Sequence, residues 1–308
     1  MPVAGFRWLD RHCTQPPQLH HSMLSISTGV EIMTDPFLEA RDLTKNYGQV
    51  RALDGASFTV YPGEVVALIG DNGAGKSTLV KVLSGAIRPD GGQILIEGNP
   101  VHLTSPLNAR EYGIETVYQD LALAPDLDAA ANLYLGREIF LVPFLKVLNK
   151  AEMRRQAVVA FADLGVDLPD PSTTVASLSG GQRQSVAVAR AVAFASNVIF
   201  MDEPTAALGV VQRGKVLDTV RRVRDRGIAV VLISHNMPEV LAVSDRIEVL
   251  RLGRRVARFQ AAQASVEDLV GAMTGAIIAE DEGPPEENPS DENGTADSAA
   301  GQQTGGQS

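Results

Sequence analysis

Cysteine is nearly absent from this chain. Its 308 residues hold one, Cys13, and one cysteine cannot build a disulfide framework. Long apolar runs are missing as well. The longest uncharged one, residues 139–145, is far shorter than the ~20 residues a bilayer-crossing helix needs. No signal peptide is read at the start, because Arg7, Asp10 and Arg11 interrupt the first residues before any sustained apolar core. Together these absences favour the cytosol. A basic surface is also lacking. The net charge is −10, but the segment from Glu280 onward carries eight acids and no Lys or Arg, which leaves about −2 for the remainder. A nearly neutral body offers no electrostatic footprint for nucleic acid. What is present is an apolar content of 44% and a charged fraction of 21%, in a chain long enough for one or two domains and a sizeable core.

The stretch that organises the chain is Gly70-Asp71-Asn72-Gly73-Ala74-Gly75-Lys76-Ser77-Thr78. It fits G-x-x-x-x-G-K-[ST], the phosphate-binding loop. Before it runs Val65-Val66-Ala67-Leu68-Ile69, wholly apolar, as a strand buried on both faces should be. After it, Ser77 to Leu83 has the apolar spacing of a helix. Gly73 and Gly75 let the backbone bend so that successive N–H groups point at phosphate oxygens. The helix beginning near Lys76 adds the positive end of its dipole. Lys76 is expected to reach the β- and γ-phosphates and Ser77 to ligate Mg²⁺.

Residues 1–33 read as poorly ordered. His12, Cys13, His20 and His21 lie there, but their spacing matches no standard zinc pattern. Met33 or Met23 is a candidate for the true start, since Asp35 to Ala40 looks like the first strand of a domain. Phe37-Leu38-Glu39-Ala40 and Ala56-Ser57-Phe58-Thr59-Val60 alternate like antiparallel strands. Tyr47 between them either stacks on a base or fills a turn. Gln93 to Gly98 reads as a short strand, and Gly113 to Tyr118 as another that ends at Gln119. The helix-forming region from about 121 to 185 reads as a subdomain inserted in an α/β core. Within it the apolar run 139–145 is either subdomain core or a patch that meets a partner.

Ser177-Leu178-Ser179-Gly180-Gly181-Gln182 opens a helix reaching Phe194. It is either a second anion site or an ordinary capped helix start. Val198-Ile199-Phe200-Met201 is an apolar strand that ends in Asp202 and Glu203. In a phosphoryl-transfer enzyme Asp202 would hold Mg²⁺, and Glu203 would orient or deprotonate the attacking water. The next buried strand, Ala229 to Ile233, leads to His235, at the strand end where open parallel sheets bind ligands. Arg246–Leu250 and Arg254–Phe259 read as a closing hairpin around Leu252-Gly253, followed by a helix from Val266 to Met273. From Glu280 the composition is that of a disordered acidic tail.

The constellation resembles the ATP-binding subunits of ABC transporters, over roughly residues 37–275. The residues that carry the resemblance are the Walker A loop 70–78, Gln119 as the Q-loop, Leu178–Gln182 as the LSGGQ signature, Val198–Glu203 as Walker B, His235 as the switch histidine and Tyr47 at the adenine-stacking position. It implies a P-loop NTPase of the α/β class: a RecA-like core, an antiparallel β subdomain and an α-helical subdomain. The ATP-binding domain would run over 34–276, with the tail at 277–308. The resemblance also implies ATP and Mg²⁺ as cofactors, with Asp202, Ser77 and Gln119 on the metal. ATP would be held by Tyr47, by Gly70, Asp71, Asn72, Gly73, Ala74, Gly75, Lys76, Ser77 and Thr78, and by Ser179, Gly180, Gly181 and Gln182. Glu203, His235 and Gln119 would act in catalysis.

Further phrases resemble the branch that imports ribose, xylose, fructose and similar monosaccharides, among them Glu115-Thr116-Val117-Tyr118-Gln119-Asp120, Asn132-Leu133-Tyr134-Leu135-Gly136-Arg137-Glu138 and Pro204 to Val210. One departure is Gly209, where most ABC proteins carry Asp after the D-loop leucine. The implied partners are permease subunits, a second copy of the chain in a head-to-tail dimer and, indirectly, a periplasmic or extracellular sugar-binding protein, with this chain peripheral at the cytoplasmic face of the membrane. An exporter ATPase or a non-transport ABC ATPase is the alternative.

Overall fold

The computed structural model describes residues 35–277 except positions 167, 169 and 207. The His12, Cys13, His20, His21 group, the start-site reading and the acidic tail lie outside the described residues. The first strands, β1 (Leu38–Tyr47) and β2 (Val50–Val60), form a long hairpin that turns at Gly48. Both extend well past the short runs expected from alternation. Strand β3 (Val65–Ile69) then enters the core, and α1 (Lys76–Leu83) follows the glycine loop. β4 (Gly91–Ile96) and β5 (Asn99–Val101) pair antiparallel around Glu97-Gly98, both at positive φ, so the strand expected to reach Gly98 ends at Ile96. Next come α2 (Pro106–Glu111), β6 (Ile114–Val117) and α3 (Ala129–Leu133). The small hairpin β7 (Phe140–Val142) and β8 (Val147–Leu148) precedes α4 (Lys150–Asp163) and α5 (Gly180–Phe194). The chain closes with β9 (Val198–Asp202), α6 (Val210–Asp225), β10 (Ala229–Ile233), α7 (Met237–Val243), β11 (Arg246–Arg251), β12 (Arg254–Gln260) and α8 (Val266–Thr274).

The main sheet has the order β12-β11-β3-β10-β9-β6, parallel except for the edge strand β12. Its side chains alternate between two covered faces. Val66, Leu68, Phe200, Val231 and Ile233 point into the core shared with α1 and the antiparallel sheet β2-β1-β4-β5. Ile199, Met201, Val230 and Leu232 point into the core shared with α4, α5 and α6. Burial on both sides is why these strands read as unbroken apolar runs. Arg246–Leu250 does form the expected hairpin with β12, but it also joins β3 in the parallel sheet.

In the run 139–145 only Ile139 packs against the subdomain core. Its hairpin is an apolar surface: Phe144 is 84% exposed, and Leu141 and Leu145 are exposed beside it. Hydrophobicity without periodicity does not tell inside from outside. Among the described residues, no helix is long and apolar enough to cross a membrane.

Candidate active site

The phosphate loop leaves β3 at its carboxyl end. Gly70, Gly73 and Gly75 all have positive φ. Gly75, at φ 104, also packs closely: a Cβ there would lie 2.5 Å from the Ala52 carbonyl oxygen of β2. Glycine is therefore required at this position by conformation and by space. Gly75 caps α1 with no side-chain bond, which leaves the first N–H groups of the helix for a ligand. Lys76 Nζ folds back over the loop and donates to the carbonyl oxygens of Gly70 at 2.7 Å and Asp71 at 3.0 Å. The tip, Asp71-Asn72-Gly73, is exposed, and Ser77 is exposed at the first turn of α1, ahead of half-buried Thr78. Ala74 is buried, and its carbonyl accepts from Gly253 N–H, tying the loop to the β11–β12 turn.

β10 lies between β3 and β9, so their carboxyl ends meet in one place. Asp202 ends β9 and Glu203 follows at φ 53, a left-handed conformation uncommon for a non-glycine residue. The Glu203 N–H donates to Ile233 O at 3.0 Å, which pins the turn to β10. The Glu203 carboxylate and His235 Nδ1 are 2.7 Å apart, with the carboxylate side chain 16% exposed and the imidazole 71%. Burial pushes the Asp202 carboxyl up, and the neighbouring Glu203 charge adds to this while Lys76 opposes it. Burial pushes the Lys76 ammonium down, and Glu203, Asp202 and Asp71 pull it back. Two adjacent acids thus face one lysine, an excess of negative charge that suits a bound cation.

The oxygen donors Ser77, Asp202 and Gln119 are of the hard kind Mg²⁺ takes, which commonly uses one or two carboxylates together with substrate phosphates. Among the described residues no group of three or more His, Cys, Asp or Glu side chains gathers as a protein-only metal cage.

The remaining expected residues come from other segments of the chain. Ser179 caps α5: its Oγ accepts from Gln182 N–H at 3.3 Å, and Gln182 Oε1 accepts from Ser179 N–H at 2.9 Å. Gly180 is open, while Gly181 packs on Gln212 of α6. Tyr47 ends β1 and is 49% exposed, opposite Val50 on the hairpin whose Ala52 touches the phosphate loop. Gln119 is exposed in the loop after β6. Among the described residues, no hydrogen bond joins Tyr47, Gln119 or the 179–182 turn to the phosphate loop.

A supporting network was not found from sequence. Glu239 Oε2 accepts from Thr205 Oγ1 at 2.6 Å, its Oε1 accepts from Asn236 Nδ2 at 2.9 Å, and Arg213 Nη1 approaches at 3.5 Å. Arg213 Nε also donates to Leu208 O at 2.8 Å. The loops after β9 and β10 are therefore held together beside Glu203 and His235, around an open cleft of ≈ 400 Å³. The readable signal was Asn236-x-x-Glu239, a helix-start spacing in which Asn236 Oδ1 caps the Glu239 N–H. Gly209 begins α6 with no side-chain cap, and Gln212 Oε1 occupies the space beside it, 2.9 Å from where a Cβ would stand.

An open parallel sheet with this phosphate loop at its carboxyl edge, and a carboxylate paired with a histidine beside it, has the arrangement of a P-loop ATPase. Residues 53–206 match the family described as ABC transporter. The fructose import ATP-binding protein FrcA of Rhizobium meliloti is 51% identical over 247 residues, covering 79% of this chain and 95% of that one. The xylose/arabinose import ATP-binding protein XylG of Sulfolobus acidocaldarius is 48% identical over 237 residues, covering 77% and 93%. A solved nucleotide-free ATP-binding cassette from an ABC transporter superposes with a TM-score of 0.64 at 26% identity, covering 78% of this chain and 96% of the cassette. The chain belongs to the ABC transporter family, as one of its ATP-hydrolysing, ATP-binding subunits.

Proposed function

We propose that this chain hydrolyses ATP to drive uptake of a monosaccharide through a separate membrane-spanning permease, bound at the cytoplasmic face. The observation that carries hydrolysis is the Glu203–His235 pair at the carboxyl edge of the sheet, next to the phosphate loop. The relatives named for fructose and xylose/arabinose import support the solute class.

The nucleotide phosphates lie on the N–H groups of the loop and α1, and Lys76 turns from the Gly70 and Asp71 carbonyls to the β- and γ-phosphates. Ser77, Asp202 and Gln119 would hold Mg²⁺, which would neutralise phosphate charge when bound. Glu203 takes a proton from the attacking water, and His235 orients Glu203 and the γ-phosphate. Tyr47 supplies a face for the adenine. The open Ser179-Gly180-Gly181 turn covers the γ-phosphate of a second copy, so that two nucleotides are enclosed in a head-to-tail dimer with two-fold symmetry. Among the described residues no hydrogen bond joins that turn to the phosphate loop of its own chain, in keeping with that arrangement. The exposed β7–β8 hairpin and the loop at Gln119 face the permease, and a sugar-binding protein delivers the solute from outside.

The test is ATPase activity of the purified chain, alone and then with its co-encoded permease and binding protein in liposomes, across a panel of monosaccharides. Stimulation by one sugar is expected. Robust turnover with no response to any sugar would overturn the solute assignment and leave the ATPase in place.

A further inference from the structure

Two stretches of the sequence that the phosphate chemistry does not use meet in the fold. Glu115 lies on β6, four positions before Gln119, and its carboxylate is buried. Arg137, from Gly136-Arg137-Glu138 after α3, places Nη2 against Glu115 Oε1. Arg110 Nε of α2 stands 3.5 Å from the other carboxylate oxygen. The Arg137 guanidinium also lies over the Phe194 ring, 4.3 Å from its centroid. Phe194 is the last residue of α5, the helix whose first turn is Gly180-Gly181-Gln182. Glu115 is therefore linked through Arg137 to the far end of the signature helix.

The other side of Gln119 is tied to the same helix. Arg190 Nη1 donates to Ala122 O at 2.8 Å and Nη2 to Leu121 O at 3.1 Å. Leu121 and Ala122 both have left-handed backbones, a conformation that needs holding. Gln119 is thus bracketed by two ties to α5, about 22 Å from end to end at 1.5 Å per residue.

A buried ion pair is weak evidence for stability, because apolar side chains of like volume would fill the space without desolvating charge. What such a pair does supply is a fixed geometry. We propose that Glu115 and Arg137, seated on Phe194, are positioning residues that set the angle of the signature helix against β6, so that occupancy of the site beside Gln119 aligns Ser179-Gly180-Gly181 for the second copy. This rests on the head-to-tail arrangement given above.

The test uses Glu115→Gln and Arg137→Gln, singly and together, in the full chain. ATP turnover is expected to fall about tenfold in each single variant with KM for ATP within about twofold, since neither residue touches the phosphate loop. In a Glu203→Gln background, the same changes are expected to weaken ATP-dependent dimers on a sizing column by about tenfold while fluorescent-nucleotide binding holds. The double variant should be no worse than either single one, as for two groups acting as a unit. Arg137→Lys, which keeps the charge, should recover part of the turnover.

Wild-type turnover and dimerisation in variants that merely melt earlier would overturn the proposal, as would additive losses in the double variant. If Glu203→Gln alone forms no ATP-dependent dimer, the head-to-tail arrangement fails, and the turnover and KM of the Glu203-intact variants still judge the pair.

Discussion

Replacing Glu203 with Gln isolates the proton-accepting step. The amide has the same shape as the carboxylate and can still accept from His235 Nδ1, which now lies 2.7 Å from Glu203 Oε1. The left-handed turn at φ 53 is held by Glu203 N–H to Ile233 O and does not depend on the side chain. The fold should therefore persist. What is lost is the ability to take a proton, worth about 10²- to 10⁴-fold in turnover for a positioned general base. That is about 3–5 kcal/mol of barrier. Nucleotide binding should hold or tighten, because one of the two acids facing Lys76 and the phosphates becomes neutral. The assay is steady-state phosphate release, with nucleotide binding by fluorescence and oligomeric state by sizing in the presence of ATP. Turnover down by at least about a hundredfold, with ATP bound and a dimer trapped, is the expected set. Turnover within about threefold of the parent would refute Glu203 as the base, since no general-base role is so small.

Asp202→Asn should abolish turnover yet raise the melting temperature of the nucleotide-free chain at neutral pH. A carboxyl whose folded pKa lies above its unfolded value costs stability while ionised, so the gain should hold at pH above that raised value and shrink as pH falls through it toward the ordinary carboxylate range. Gly75→Ala should lose nucleotide binding and cost about 2–4 kcal/mol of stability, because φ 104 disfavours a side chain and the Cβ would press on the Ala52 carbonyl; an unchanged nucleotide affinity would count against the loop geometry. Phe144→Asp, at a side chain that is 84% exposed, should shift stability by no more than about 0.5 kcal/mol and leave basal turnover intact, while co-purification with the permease is lost. Retained co-purification would remove the β7–β8 hairpin from the proposed interface.

The parts of the site that were readable are local in sequence. A strand, a glycine loop and a helix start occupy consecutive residues, and an apolar run ending in Asp202-Glu203 states both its burial and its polar end. The parts that were not readable depend on pairings across long separations. Thr205 and Glu239 are 34 residues apart, and Glu115 and Arg137 are 22 apart. Each looks like an ordinary surface residue until the fold joins them. The β7–β8 hairpin was ambiguous for another reason: Phe140, Phe144 and Leu145 are as apolar as any core segment, and only a partner surface or a core could account for them. The early strands were read too short, because Asp42, Thr44, Lys45 and Asp54 break the apolar alternation on an edge hairpin that water covers on one side.

The reciprocal cap at the start of α5 bears on how the chain lives between cycles. Ser179 and Gln182 satisfy one another's backbone donors, so the turn proposed to meet a second copy's phosphate keeps those two N–H groups bonded within the single chain. In the proposed dimer the phosphate of a loaded neighbour, carrying full negative charge, is a stronger acceptor than the neutral Ser179 hydroxyl or Gln182 amide oxygen and would compete for those donors. On that proposal idleness and readiness share the same four residues, and the arrival of ATP on a second copy decides between them.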